Sequence, residues 1–312
     1  MTPELWRGGR MESVKPLIME SFAGGFGPLH NVEPRLAAAL SDLLTRPGSM
    51  VRATTSYLIG IDMGVPEEIA MAVSCGIEYL HTSSLVFDDL PAMDDARMRR
   101  GGACLHVVHG EATAMLAALA MINRGYAMLW QGIRHTTPSR RAEASHWIDS
   151  RLGIHGVIGG QAYDLSEWND RQSSAGVSEV AARKTGDLLR LTLVLPALIG
   201  RGTRREIQVL DKIGLLRGLA YQAVDDLKDV LCPEEWSGKT GGRDRELGRP
   251  NLIMAEGFQA ALRRFKRLRH IGDRLQASLP GPLERWDMLA PLRVTLPSSP
   301  DFVLPSAVAK AS

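Results

Sequence analysis

Apolar positions recur along this chain at helical spacing. Between residues 32 and 44, Val32, Leu36, Leu40, Leu43 and Leu44 fall on one face of a helix. The same period runs through residues 67–87, 111–133, 142–168, 178–198, 204–231 and 250–279, and predicts a helix over each. No run alternates apolar and polar residues between turn signals, so no strand is predicted. Turn chemistry punctuates the helices at Arg46-Pro47-Gly48-Ser49, Arg100-Gly101-Gly102, residues 169–175, residues 237–242 and Leu279-Pro280-Gly281-Pro282. A loosely tied start over residues 1–25, a domain over 26–290 and a Pro/Ser-rich tail over 291–312 are the expected organisation.

Composition narrows the class. At 312 residues the length suits two domains of roughly 150 residues, or one large helical bundle. With 45% apolar and 23% charged residues the chain can bury a core and is not disordered. Low aromatic content beside abundant Ala, Leu, Met and Arg favours helix over sheet. A net charge of +2, from 37 basic and 35 acidic residues, argues against a surface built to coat nucleic acid. Cys75, Cys104 and Cys232 form no Cys-x-x-Cys pair, so neither a disulfide framework nor a structural zinc site is expected. The first residues lack an apolar signal core. The longest apolar stretch, residues 191–200, is half a membrane span and contains Pro196. A cytoplasmic setting with no membrane span is the expectation.

Two acidic clusters interrupt these apolar helices. The first runs Phe87-Asp88-Asp89-Leu90-Pro91-Ala92-Met93-Asp94-Asp95 and the second Tyr221-Gln222-Ala223-Val224-Asp225-Asp226-Leu227-Lys228-Asp229. Pro91 lacks an amide hydrogen and should distort the helix, letting Asp94 swing back towards Asp88. Asp225 and Asp229 are four apart and share a helix face. Carboxylates this dense repel one another, and apolar flanks make the repulsion worse. Hard oxygen donors in such numbers suit Mg²⁺, which binds a few carboxylates together with substrate phosphates. Arg97, Arg99 and Arg100 follow the first cluster, and Lys239 and Arg243 follow the second. Carboxylates for metal beside cations for phosphate describe a diphosphate site.

The ordered pair Asp88-Asp89-x-x-x-x-Asp94 and Asp225-Asp226-x-x-Asp229 resembles the trans-isoprenyl diphosphate synthases, which include the farnesyl and geranylgeranyl diphosphate synthases. Further matches are Glu78-Tyr79-Leu80-His81, Arg99-Arg100-Gly101, Gly159-Gly160-Gln161, Lys184-Thr185 and Gly248-Arg249-Pro250-Asn251. The resemblance implies an all-α, single-domain helical bundle around a deep central cavity, usually a homodimer. It implies condensation of an allylic prenyl diphosphate with isopentenyl diphosphate, assisted by about three Mg²⁺ ions per site. It makes Asp88, Asp89, Asp94, Asp225 and Asp229 metal ligands, with Asp226 in the same cluster as a support. Arg99, Lys184 and Lys239 would grip the allylic diphosphate. Gln161 and Gln222 would line the reaction centre, and Thr185 would mark a helix kink. Arg52, His81 and Arg100 would hold isopentenyl diphosphate. Asp88, Asp89, Asp225, Lys184 and Gln222 carry the expected chemistry.

The chain departs from the family pattern where a Gly-Gly-Lys-Arg-x-Arg-Pro segment would stand. Ser49 and Met50 replace two cations there, and Gly102-Ala103 replaces a usual Lys-Pro. Loss of such a phosphate contact would weaken isopentenyl diphosphate binding by about 1.5–3 kcal/mol. Small residues at Ser83 and Ser84, one turn before the first aspartate, leave room for a C20 product rather than C15. Two other readings follow from Ser49 and Met50: a cyclase-like enzyme that ionises a prenyl diphosphate without condensing it, or a non-catalytic subunit of a heteromeric synthase.

Overall fold

The structure, a computed structural model, describes residues 9–166, 168, 173–231 and 248–296. They are helical throughout apart from one short hairpin. The chain divides into two compact units. One comprises Met1–Trp147, Thr192–Gln208 and Gly281–Ala290, the other Ile148–Leu191, Val209–Pro280 and Pro291–Ser312.

The first unit is built on α4 (Glu67–Asp88) and α6 (Glu111–His135), joined by α1 (Arg10–Gly24), α2 (Pro34–Thr45), α3 (Val51–Asp62) and the short α5 (Leu105–His109). Local chemistry starts each helix. Pro34 opens α2 while the Glu33 carboxylate accepts the Leu36 amide at 2.8 Å. Pro66 precedes α4, whose first turn carries Glu67 and Glu68 at the positive end of the helix dipole. At the other end of this unit, Arg140 donates to the carbonyls of Ala197, Leu198, Gly200 and Gly202, closing the orphaned carbonyls of the chain there.

Glycines bring α4 and α6 together. A Cβ on Gly76 would lie 2.9 Å from the Gly125 carbonyl oxygen, and one on Gly125 would lie 3.1 Å from that of Gly76. Leu80 fills the space over Gly125. By length and composition α6 could cross a membrane, yet Ala114, Ala117, Ala118, Met121, Met128, Leu129 and Ile133 bury one of its faces within this unit. Between α4 and α5 the chain forms a two-residue hairpin, β1 (Met98–Arg99) with β2 (Gly102–Ala103), pairing Arg99 with Gly102.

The second unit holds α8 (Val157–Asp164), α9 (Ser174–Ala181), a π-helical turn (Ala182–Gly186), α12 (Leu252–Glu256) and α13 (Phe258–Ala277). Most of α11 (Arg204–Leu231) lies in it. Val177, Ala220, Ala223, Val224, Leu227, Leu252, Ala261 and Phe265 form its buried core, flanked by Trp168, Phe258 and Leu268. The remaining long helices are α7 (Pro138–Leu152) and α10 (Asp187–Ile199), and a 3₁₀ helix spans Leu283–Leu292.

Several boundaries differ from the pattern for identifiable reasons. Residues 10–24, expected to be loosely tied, form α1 and bury Val14, Ile18 and Phe22. Phe22 and Phe26 hold Tyr79 between them, with the Tyr79 hydroxyl donating to the Phe22 carbonyl at 2.7 Å. Helix α3 escaped the pattern because residues 53–60 are all buried, which leaves no polar face to give a period. The helix expected over 142–168 breaks around Gly153 and Gly156, and that over 250–279 breaks at Gly257, where φ is 80°. Hairpin strands of two residues are too short to alternate. The tail beyond residue 296 lies outside the described residues.

The close approach of α4 and α6 gives a direct test. Gly76→Val should lower stability by about 1–3 kcal/mol through overpacking against the Gly125 backbone, read as a lower urea midpoint. An unchanged midpoint would mean these helices do not meet there.

Candidate active site

In the first unit, α4 ends at Asp88 with Asp89 as its C-cap. The chain then curls back: the Asp94 amide donates to the Asp88 carbonyl at 3.0 Å, and the Ala96 amide donates to the Asp89 carbonyl at 3.1 Å. Asp94 therefore returns beside Asp88 as the spacing around Pro91 suggested. Asp88 and Asp94 are half-buried. Asp89 is 4% exposed and accepts from Arg99, whose Nε lies 2.7 and 2.8 Å from its two oxygens. Arg99 thus neutralises Asp89 directly.

The hairpin aims Arg99 and its neighbour. Arg100 and Gly101 both take positive φ, at 54° and 77°, the signature of a two-residue type I′ turn. A non-glycine residue in this region is strained by roughly 1–2 kcal/mol. The turn lays the Arg100 guanidinium against Gly48, where any Cβ would collide with it. On α3, Arg52 Nη1 lies 3.2 Å from His81 Nε2 on α4. Burial first, then the positive charges of Arg52, Arg100 and Arg99, hold the His81 pKa well below its usual 6.5. The imidazole is therefore neutral, and its Nε2 accepts from Arg52. Beneath this group sits Glu78, 3% exposed, which accepts the Ala53 amide at 3.3 Å. Burial raises its pKa, while Arg52 opposes the rise.

Arg52, His81, Arg99 and Arg100 are thus gathered around one end of α4. Met50, where a cation would be expected, is fully buried and caps α3 from a left-handed conformation with φ 59°. Ser83 and Ser84 turn their hydroxyls back to the Leu80 and His81 carbonyls, each at 2.8 Å. Their side chains thereby stay short and internally satisfied.

In the second unit, Lys184 and Thr185 sit in the π-helical turn, so the kink expected at Thr185 is a π turn. Glycines on two helices admit it: a Cβ on Gly160 would strike the Lys184 amide nitrogen, and one on Gly218 would lie 2.5 Å from Gly186 Cα. Lys184 Nζ donates to Asp164 at 2.5 Å. Gln222 Nε2 donates to Asp226 Oδ1 at 2.9 Å, and Thr185 Oγ1 lies 3.4 Å from Gln222 Oε1. Asp226 is 1% exposed, and its other oxygen accepts the Leu252 amide at 2.8 Å. This carboxylate ties α11 to α12 rather than facing outward. Asp225 and Gln161 are half-buried. Asp229 belongs to α11, and Lys239 and Arg243 lie outside the described residues.

Two acidic supports stand in the matching motifs but carried no assigned role. Asp164, three residues after Gln161, fixes Lys184, and Arg249 donates to the Asp164 carbonyl at 3.2 Å. Glu78 is the other. In both, the signal was an acidic residue on the same helix as a candidate ligand.

No three His, Cys, Asp or Glu side chains converge as a ready-made cage among the described residues. Mg²⁺ takes one or two carboxylates and completes its octahedron with water and phosphate oxygens. In the first unit, Asp88 and Asp94, brought together by the backbone, are hard oxygen donors of that kind.

The low pKa of His81 has a sign that can be checked. As pH falls through about 6.5 an unfolded His81 gains a proton that the folded one refuses, so the folded state loses stability. Relative to His81→Gln, the natural protein should lose up to about 1 kcal/mol more between pH 6.5 and 5.5, measured by urea unfolding. Parallel pH dependences would contradict the assigned environment.

The sequence model of the polyprenyl synthetase family matches residues 33–278. Geranylgeranyl pyrophosphate synthase 12, chloroplastic, of Arabidopsis thaliana is 37% identical over 219 residues, covering 66% of this chain and 59% of that protein. Geranylgeranyl pyrophosphate synthase of Capsicum annuum is 34% identical over 209 residues, covering 65% of this chain and 57% of its own. The chain thus spans a little over half the length of these curated relatives. A geranyltransferase of Helicobacter pylori, crystallised with magnesium and isoprenyl diphosphate, superposes with a TM-score of 0.77. It is 25% identical, and the match covers 94% of this chain and 97% of that one. An FPP/GFPP synthase of Zymomonas mobilis shares the fold, with a TM-score of 0.76 over 90% of this chain and 96% of its own, at 24% identity. An all-α isoprenoid synthase fold and a family match over most of its length identify this chain as a member of the polyprenyl synthetase family.

Proposed function

We propose that this protein is a trans-prenyltransferase that condenses an allylic prenyl diphosphate with isopentenyl diphosphate to a short-chain product. Geranylgeranyl diphosphate is favoured. The observation that carries this reading is the placement of an aspartate cluster at the C-terminal end of a long helix in each unit, with a cation fixed nearby by a carboxylate partner.

In this reading Asp88, Asp89, Asp94, Asp225 and Asp229 hold Mg²⁺, directly or through water, with Asp226 as their support. When bound, Mg²⁺ neutralises the allylic diphosphate and makes it a leaving group. Arg99, Lys184 and Lys239 hold the same diphosphate. Arg99 and Lys184 start from Asp89 and Asp164, so they are positioned before substrate arrives. The carbon–oxygen bond to diphosphate breaks, and Gln161, Gln222 and the carbonyls of the π turn at Thr185 face the allylic cation with oxygen dipoles. Arg52, neutral His81 and Arg100 hold isopentenyl diphosphate, whose double bond forms the new carbon–carbon bond before a proton leaves the adjacent carbon. The apolar helices exclude the water that would quench the cation. Ser83 and Ser84 leave depth for a C20 chain. The names of the Arabidopsis and Capsicum relatives support the same product length. A homodimer acting in the cytoplasm completes the proposal. Burial pushes the Cys75 thiol up to about 11, out of the reactive range.

One observation favours a second reading. Met50 is buried where a phosphate-binding cation would be expected, which suits an enzyme that ionises a prenyl diphosphate without condensing it.

Purified protein with Mg²⁺, farnesyl diphosphate and labelled isopentenyl diphosphate should incorporate label into a C20 diphosphate. Asp88→Ala and Asp225→Ala should each lower turnover by at least a hundredfold while circular dichroism stays helical. Hydrocarbon or alcohol formed without isopentenyl diphosphate would replace this reading with the second. Full activity in both variants would overturn the metal assignment.

A further inference from the structure

Two glycines and two arginines interlock between the 46–52 segment and the 98–103 hairpin. Arg100 reaches from the hairpin to lie over Gly48, and Arg46 reaches back so that its Nη1 lies over Gly102. A Cβ at either glycine would collide with the facing guanidinium. Arg46 is aimed by Asp42, four residues earlier on α2, which accepts from its Nη2. Asp42 also lies 3.2 Å from His109 Nε2. The Arg46 side chain remains 47% exposed at the rim. Arg52 Nη1 is held 3.2 Å from the imidazole of His81, which also feels the charge of Arg100.

Two guanidinium groups, those of Arg46 and Arg100, therefore meet at one loop–hairpin junction. A guanidinium aimed by a carboxylate partner, as Arg46 is by Asp42, suits bidentate grip on phosphate oxygens. The segment itself supplies no charge at positions 49 and 50, where Ser49 is exposed and Met50 is buried.

We infer that Arg46 is a diphosphate-binding residue of this chain, taking over at the isopentenyl diphosphate end the charge that Ser49 and Met50 do not provide. Gly102 is the residue that admits it. A side chain at 102 would push the Arg46 guanidinium out of the position it holds over this residue. Gly102 keeps a negative φ, so alanine at 102 suits the backbone and acts only through the space it fills. This inference rests on the condensation reading above and adds a residue to it.

The test is steady-state kinetics on the full chain with varied isopentenyl diphosphate. Arg46→Ala should raise its KM roughly 10- to 100-fold, with kcat and the KM for the allylic diphosphate nearly unchanged. Gly102→Ala should raise the same KM by displacing Arg46, and the double variant should be no worse than Arg46→Ala alone. Arg46→Lys should recover part of the loss. An unchanged KM in Arg46→Ala, or effects that multiply in the double variant, would overturn the inference. Calorimetric binding of isopentenyl diphosphate in EDTA separates the two readings. If the natural protein binds it, Arg46→Ala binds it at least tenfold more weakly and no label is incorporated, the condensation reading fails and Arg46 stands. Equal binding by both proteins overturns Arg46 whatever the turnover.

Discussion

Carboxylates at the C-terminal end of a helix face the negative end of its dipole, the position where anions are least favoured. Asp88 and Asp89 stand there on α4, and Asp225 and Asp226 stand within the last two turns of α11. Each cluster adds mutual repulsion to that unfavourable field. The surrounding structure answers part of it. Arg99 neutralises Asp89, and Gln222 and the Leu252 amide satisfy Asp226. Asp88, Asp94 and Asp225 stay half-buried. In the proposed function a divalent cation relieves the repulsion that these partners leave.

The supports share a design. A candidate ligand or cation is held by a short polar contact, and a glycine lets a second backbone come close behind it. The π turn carrying Lys184 is admitted by Gly160 and Gly218, and Asp164 fixes the lysine. The Arg100 guanidinium lies against Gly48, and the left-handed turn of its hairpin sets the direction. The close backbone contacts at Gly160 and Gly218 limit how far the π turn can drift.

Much of this was legible in the residues. The 3.6 period located α2, α4, α6 and α11 to within a few positions, and in α2 and α6 buried positions alternate with exposed ones at that period. Spacing around Pro91 foretold that Asp94 returns to Asp88. Helix α3 stayed hidden because its central residues are all buried and give no contrast between faces. Helix α1 stayed hidden because its pattern is weak and its packing against Tyr79 is tertiary. The pairing of Arg99 with Asp89, and of Lys184 with Asp164, could not be read from spacing. It depends on a turn conformation in one case and on a π-helical register in the other.

In the proposed function each aspartate cluster holds cation and diphosphate. Thermal unfolding of the full chain, with EDTA or with Mg²⁺ and inorganic pyrophosphate, tests it without turnover. At ligand near a hundred times the dissociation constant, linkage stabilises the folded state by about 2.7 kcal/mol. The account predicts a rise of several degrees that needs both Mg²⁺ and pyrophosphate and is lost in Asp88→Ala and in Asp225→Ala. A midpoint indifferent to Mg²⁺, or equally raised in both variants, would contradict it.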